Sequence, residues 1–365
     1  MQRVTVTLLV FLLGALLNVA CAQKKGKIIK VPSKPEIVEF PVAEIKVFQA
    51  VPDSSYLGYA QKGLANSVVR AYPDGPLTPF IQRYFDNSIH YSSDSGAKKF
   101  FIVIKELRIN ERTFAMKERA YARLQADAWV GAAADKYYLA ASVDTCIMHG
   151  GMDVTASHGR NIGDLLFLLI HKAAASPDTA GEHTQLLTIE EVRRKANERF
   201  TVPVLLTDHY QNGIYLTYNE FLQNAPSVRH YSTQFNKKKG ARFFIKDSTG
   251  NEQEIIPWGL CKDDELYKYK EHNLIPIERV ANGFFISSYL ENKRRRNNAV
   301  FWGALVGGIA GGVAAGAISG GQVTYIAVPY YGANVQAFMQ TNIPALKKSQ
   351  AEASSVDFST GELYF

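Results

Sequence analysis

Residues able to do chemistry are scattered in this chain of 365 residues, which has eight histidines and three cysteines. His149 and His158 stand close together in MHGGMDVTASHGR. With Asp153 they offer the imidazole and carboxylate donors that a divalent metal takes, although a polar loop between strand and helix accounts for the same three residues. Asp208-His209 beside Tyr210 has the makings of an acid–base pair, or of a solvated loop ahead of the Asn212-Gly213 turn. Asp263-Asp264-Glu265 lacks the every-second-residue ligand spacing and the glycine of a calcium loop, and reads as a hairpin tip. Trp258, Tyr267 and Tyr269 are candidates for lining a ligand groove, and equally for cross-strand packing. No phosphate-binding loop, dinucleotide fingerprint, nucleophile elbow or zinc-protease helix occurs in the sequence. No catalytic residue, metal or cofactor is assigned on this basis, and the expected role is not enzymatic.

The strongest pattern is of another kind. From Asn297 to Leu346 no residue is charged, and Ala299 to Gly321 spans 23 residues. That is enough for a helix of about 30 Å, the thickness of a bilayer core. Within it Gly308, Gly312, Gly316 and Gly320 recur at every fourth position, and Gly303, Gly307 and Gly311 form an adjacent row. On a helix these rows make a flat face through which membrane helices pack closely. In water the same helix would be weak, each glycine costing about 1 kcal/mol relative to alanine. The expectation is a membrane-spanning, self-associating helix over 299–321, with Lys293, Arg294, Arg295 and Arg296 at the lipid headgroups. A buried Gly/Ala hairpin is the competing reading.

The N-terminus indicates export. Residues 1–22 combine Arg3, an apolar run from Val4 to Leu17 and a small-residue end, the anatomy of a signal peptide. Ala20-Cys21-Ala22 fits ordinary cleavage; alternatively Cys21 is the acylated first residue of a lipoprotein, against which Asn18 stands where leucine is usual. Either route leads to the cell envelope with the domains in the periplasm, and leaves inner versus outer membrane open. The basic cluster would lie on the outer side of an inner-membrane span, against the positive-inside tendency. The widely separated Cys146 and Cys261 read as two buried free thiols rather than a bridge. The net charge of +7, gathered in local clusters, favours anionic lipid; no recognition motif points to nucleic acid.

The elements that would position these groups follow from periodicity. A Lys/Pro-rich tether over 23–41 precedes an α+β sandwich domain over 42–175. There, Ala43 to Val51 alternates as a strand, and LTPFIQRYFDNSIH is a helix with Thr78 as N-cap, Pro79 at its first position, and Phe80, Ile81, Tyr84, Phe85 and Ile89 inside. KKFFIVIKELRIN is a central strand emerging toward solvent, with Glu106 and Arg108 outward. RAYARLQADAWV alternates cleanly, Ala122, Leu124, Ala126, Ala128 and Val130 facing one way and Tyr121, Arg123, Gln125, Asp127 and Trp129 the other. DKYYLAASVDTCIM continues the antiparallel sheet, and NIGDLLFLLIHKAA closes it as a helix. Both helices are expected on one face. A linker over 176–187 leads to a β-rich domain over 188–291, opened by a Thr188/Glu191 capping box and built from short runs such as GIYLTYNEF, ARFFIKD, ELYKYK and NLIPIERV as an antiparallel sheet or half-open barrel. Residues 322–365 follow as a tail, polar and frayed from Ala351.

The order of elements from AEIKVFQAVPDSSYLGYA through FFIVIKELRINERT resembles the small α/β sandwich domains of Gram-negative envelope lipoproteins and transport auxiliary proteins. It covers roughly Val42 to Ala175, and implies an adaptor that binds partner proteins or lipids, with no catalytic residues. GIYLTYNEFLQNAPSV followed by IIPWGLCKDDELYKYK resembles a segment of exported proteins of unassigned function, and the glycine rows resemble those of glycine-zipper envelope lipoproteins. The expected function is therefore an exported, membrane-associated binding and assembly protein, with membrane lipid, copies of itself and an envelope protein as partners. The alternatives are a soluble periplasmic ligand-binding protein and a hydrolase using dispersed residues such as His149, Asp153 or His209.

Overall fold

A computed structural model of the chain describes residues 26–32, 40–62, 67–114, 117–133, 135–176, 185–236, 240–287 and 353–364. The signal peptide, Cys21, Lys293 to Arg296 and the glycine rows over 299–321 lie outside the described residues. Among the described residues, no helix is long and apolar enough to cross a membrane.

The first half runs β1 (Lys27–Ile29), β2 (Val42–Gln49), β3 (Gly58–Lys62), β4 (Ser67–Pro73), α1 (Leu77–Ser88), β5 (Lys98–Phe114), β6 (Lys117–Ala133), β7 (Lys136–Gly151) and α2 (Ser157–Ala174). The alternation in RAYARLQADAWV becomes the centre of the sheet, β6 pairing antiparallel with β5 on one side and β7 on the other. Ala122, Leu124, Ala126, Ala128 and Val130 share one core with Phe80, Ile81 and Phe85 of α1 and Ile162, Leu165, Leu166, Leu169 and Ile170 of α2. Both helices thus cover one face, as expected, and the Tyr84 hydroxyl donates to the Gly163 carbonyl at 3.0 Å between them.

Four expectations are corrected here. The sheet is mixed, because β2 pairs parallel with β5 and β1 parallel with β4; the β3–β4 hairpin and α1 carry the chain back so that β5 starts in the direction of β2. Lys27–Ile29 is a strand rather than tether. The first helix begins at Leu77 behind Pro76, with no side-chain cap. The Thr78 hydroxyl donates instead to Gln49 Oε1 at 3.2 Å, and Pro79 is accommodated because first-turn amides have no helical acceptor. Finally, β5 does not emerge toward solvent: Glu106 and Arg108 are buried, for the reason given below.

The second half runs α3 (Ile189–Glu198), α4 (Pro203–Leu206), β8 (Gly213–Tyr215), α5 (Tyr218–Leu222), β9 (Ser232–Asn236), β10 (Gly240–Lys246), β11 (Glu252–Ile255), β12 (Gly259–Lys262), β13 (Glu265–Lys270), β14 (Asn273–Val280), β15 (Gly283–Ile286), β16 (Ser355–Val356) and β17 (Leu363–Tyr364). β9 to β11 form a three-stranded sheet, and β17-β16-β15-β14-β13-β12-β8 a seven-stranded one. Every pairing in both is antiparallel. The Thr188/Glu191 capping box is present. Asp263 and Asp264 form the β12–β13 tip in the left-handed region, φ 53° and 66°, where aspartate is among the better tolerated residues. Only the first third of GIYLTYNEF is strand; Thr217 then caps α5, its hydroxyl accepting from the Glu220 amide at 3.2 Å.

The face of β5–β7 away from α1 and α2 is not solvent but the floor of the second half. Val192 of α3 packs with Phe101, Trp129 and Tyr137. Beside them Arg108 pairs with Glu106 at 2.6 Å and donates to the Tyr56 carbonyl at 2.7 Å. Arg123 pairs with Asp144 at 3.2 Å and with Asp357 at 2.5 Å, and its guanidinium lies 3.5 Å from the Tyr364 ring centre. The segment from Ala353 is therefore no frayed tail. Val356, Phe358 and Leu363 enter the core of the second half, while Asp357 reaches the first.

Candidate functional site

The residues proposed from sequence do not converge. His149 Nδ1 meets Asn161 Oδ1, His158 is fully buried against Glu111 at 3.0 Å, and Asp153 accepts from the Thr155 amide in an exposed turn. Among the described residues, no three His, Cys, Asp or Glu side chains gather around a common point. His209 and Asp208 are solvated, His209 pairing with Asp264 at 3.3 Å and Asp208 with Arg279 at 3.8 Å. Tyr210 does line a cleft of about 450 Å³ with Asp264, Tyr267 and Arg279, but its amide is already held by Asp264 at 2.7 Å. Cys146 and Cys261 are free and buried, and burial raises both thiols to about 12. They are poor nucleophiles in this fold.

One cleft combines an open volume with a group held away from its ordinary environment. It measures about 330 Å³ and is lined by Tyr218, Ile256, Trp258, Lys268, Lys270 and Glu362 among others. β13 puts Leu266, Lys268 and Lys270 on one face by simple alternation. β12 brings Trp258 alongside, since Gly259 is registered opposite Lys268. α5 supplies Tyr218, whose ring lies 5.2 Å from that of Trp258, and the returning C-terminal segment supplies Glu362.

The side chains are fixed by bonds to that segment. The Tyr218 hydroxyl donates to the Phe358 carbonyl at 3.1 Å and Trp258 Nε1 to the Gly361 carbonyl at 2.9 Å. Gly361, at φ +73°, lies so close that a Cβ there would stand 2.8 Å from Trp258 Nε1. Glu362 is engaged by Lys270 at 3.0 Å.

Lys268 is only 3% exposed. Its ammonium lies 4.6 Å from the Trp258 ring centre. Among the described residues it makes no hydrogen bond or ion pair. Burial depresses its pKa to about 8, partly opposed by Glu362. Desolvation disfavours the charged form, and the indole face returns only part of the lost hydration, about 1–2 kcal/mol.

Of the candidate groove residues in the sequence, Trp258 lines this cleft, and Tyr269 borders it while its ring, like that of Tyr267, packs in the opposite core. Lys268 was missed. The signal available was the alternation in ELYKYK, which sets a lysine between two apolar partners of a central strand. No protein-family model matches the chain, and no curated protein matches it.

Proposed function

We propose that this chain is an exported, membrane-associated binding and assembly protein of the cell envelope, whose uncharged stretch over 297–346 contacts lipid. The observation that carries the reading is the seam between β15 and β16. The Ile286 amide donates to the Ser354 carbonyl at 2.8 Å, and Phe285 is registered opposite Ser355. The described chain therefore breaks off at Ser287 and resumes at Ala353 beside one another, at the ends of two paired strands. In this reading the uncharged stretch meets the bilayer from a seam whose two ends lie side by side, and the helix expected over 299–321 lies outside the described residues. About 50 uncharged residues suffice to reach a bilayer core. Basic residues flank both ends, Lys293 to Arg296 before and Lys347-Lys348 after, and both flanks meet headgroups on one side.

The described body fits a binding role. It presents a cleft and a stapled two-part scaffold, while the nucleophile, base and metal candidates in the sequence stand apart from one another. Carbonate extraction of membranes from cells making the full chain tests the reading: the protein stays in the pellet, and a chain lacking 297–346 is released. Full-length protein in the supernatant would reject it.

A further inference from the structure

We infer that the cleft floored by Lys268 is a binding site for a small organic monoanion, a carboxylate carried on a flat or branched apolar body. A nearly buried ammonium without a hydrogen-bond acceptor is an incomplete arrangement, and a ligand carboxylate completes it with a charge-assisted bond. The other charged groups at the cleft leave this task to Lys268. Glu362 is occupied by Lys270, and Glu271 lies on the exposed rim of the turn.

The charge count sets the ligand class. One uncompensated cation with a carboxylate nearby suits a single negative charge, and the proximity of Glu362 opposes a dianion such as a phosphate monoester. The walls set the rest. Trp258 and Tyr218 give an aromatic surface, and Ile256, 78% exposed, forms an apolar lip beside them. A volume of about 330 Å³ is at the small end of ligand pockets.

This site is independent of the membrane reading, since it is lined by the residues leading into α5, the connection from β11 to β12, β13 with the turn after it, and Glu362. The test is calorimetric titration of the full chain with 1-naphthoate, with its neutral counterpart 1-naphthalenemethanol and with 1-naphthyl phosphate. Naphthoate binds saturably, at least about ten-fold tighter than either, the alcohol lacking the charge-assisted bond. Lys268→Met lowers its affinity by about the same factor. Raising the pH from about 7 to about 9 weakens binding in the unmodified chain as the ammonium loses its proton. Tyr218 and Tyr269, the phenols at the cleft, are held protonated over that range by burial; Lys270, Glu271 and Glu362 are the remaining titratable groups.

Equal binding of acid and alcohol, equal or tighter binding of the phosphate, an unaffected Lys268→Met variant, or no saturable binding would each overturn the assignment. The ligand comparison on the unmodified chain decides the matter even if the variant misfolds. Membrane release in the carbonate test would leave this result untouched.

Discussion

Arg123 on β6 and Asp357 in the C-terminal segment lie 2.5 Å apart, although 234 positions separate them in sequence, and both are buried. Burial works against both charges. For Arg123, Asp144 and Asp357 outweigh it and raise its pKa; for Asp357, the guanidinium and the Ser359 and Thr360 amides outweigh it and hold the carboxyl below the usual range. Asp357→Ala leaves the buried Arg123 with Asp144, whose side chain is 35% exposed, as its carboxylate partner, so it should cost somewhat less than the ~3–5 kcal/mol of a buried pair broken outright. Urea unfolding measures this, and because the pair joins the two halves both should lose stability in one transition. Arg123→Met with Asp357→Leu should recover much of the loss; a double variant no better than the single one would contradict this account.

The same pair has an acid signature. The unfolded chain binds a proton at Asp357 before the folded chain does, so its contribution is present above the ordinary carboxylate pKa and is lost as the pH falls through the lowered folded value. Asp144 behaves oppositely, since desolvation raises its pKa despite Arg123. Carboxyl titration by NMR should separate the two, Asp357 protonating last.

Lys268 gives an alkaline signature whose slope has the same sign as that of Asp357. Its folded pKa of about 8 lies below the ordinary lysine value of 10.5. Between those values the unfolded chain holds the extra proton, so stability rises with pH, by up to roughly 3 kcal/mol for this group. Lys268→Met should be more stable than the parent near neutral pH and should lack that part of the rise. Thermal unfolding at pH values spanning this window checks both points.

Gly361 is held at φ +73° against Tyr218 and Trp258. Gly361→Ala places a methyl group in a left-handed position and in a filled space, and should cost at least about 2 kcal/mol. Displacing residue 361 would weaken the bond from Trp258 Nε1 to its carbonyl, so the emission spectrum should move with the stability. An unchanged spectrum and midpoint would argue against the tight seat described here.

Leucine at Gly308, Gly312 and Gly316 should leave the chain in the membrane pellet while weakening its self-association, because bulk on that face prevents close approach. Crosslinking in membranes reads this directly, and an unaltered oligomer ladder would remove the glycine rows from the account.

Much of the scaffold was legible because it depends on local periodicity. Ala122 to Val130 alternate, the α1 stripe from Phe80 to Ile89 repeats with helical spacing, and Thr188 with Glu191 forms a cap from residues three apart. What escaped was set by contacts distant in sequence. Arg123, Gln125 and Asp127 read as an outward polar face, and nothing local reveals that Asp357 and Ser359 will cover it. The segment 353–364 has only short apolar runs, yet its Asp357 side chain organises the Ser359 and Thr360 amides at 2.8 and 3.0 Å, a turn chemistry written in DFSTG. Of the cleft, Trp258 and Tyr269 were visible as aromatic residues, but the desolvation of Lys268 depends on α5 and Glu362 arriving from elsewhere.

The β15–β16 seam has a consequence for how this chain can be altered. Two hydrogen-bonded strand ends need only a tight turn between them, so everything from 288 to 352 occupies the position of a hairpin connection. Replacing it with a turn of a few residues would lower the loop-closure cost by about 2 kcal/mol and leave the connectivity of every described strand as it is. In genetic terms the stretch has the place of a cassette: shortening or exchanging it would not rethread the described strands.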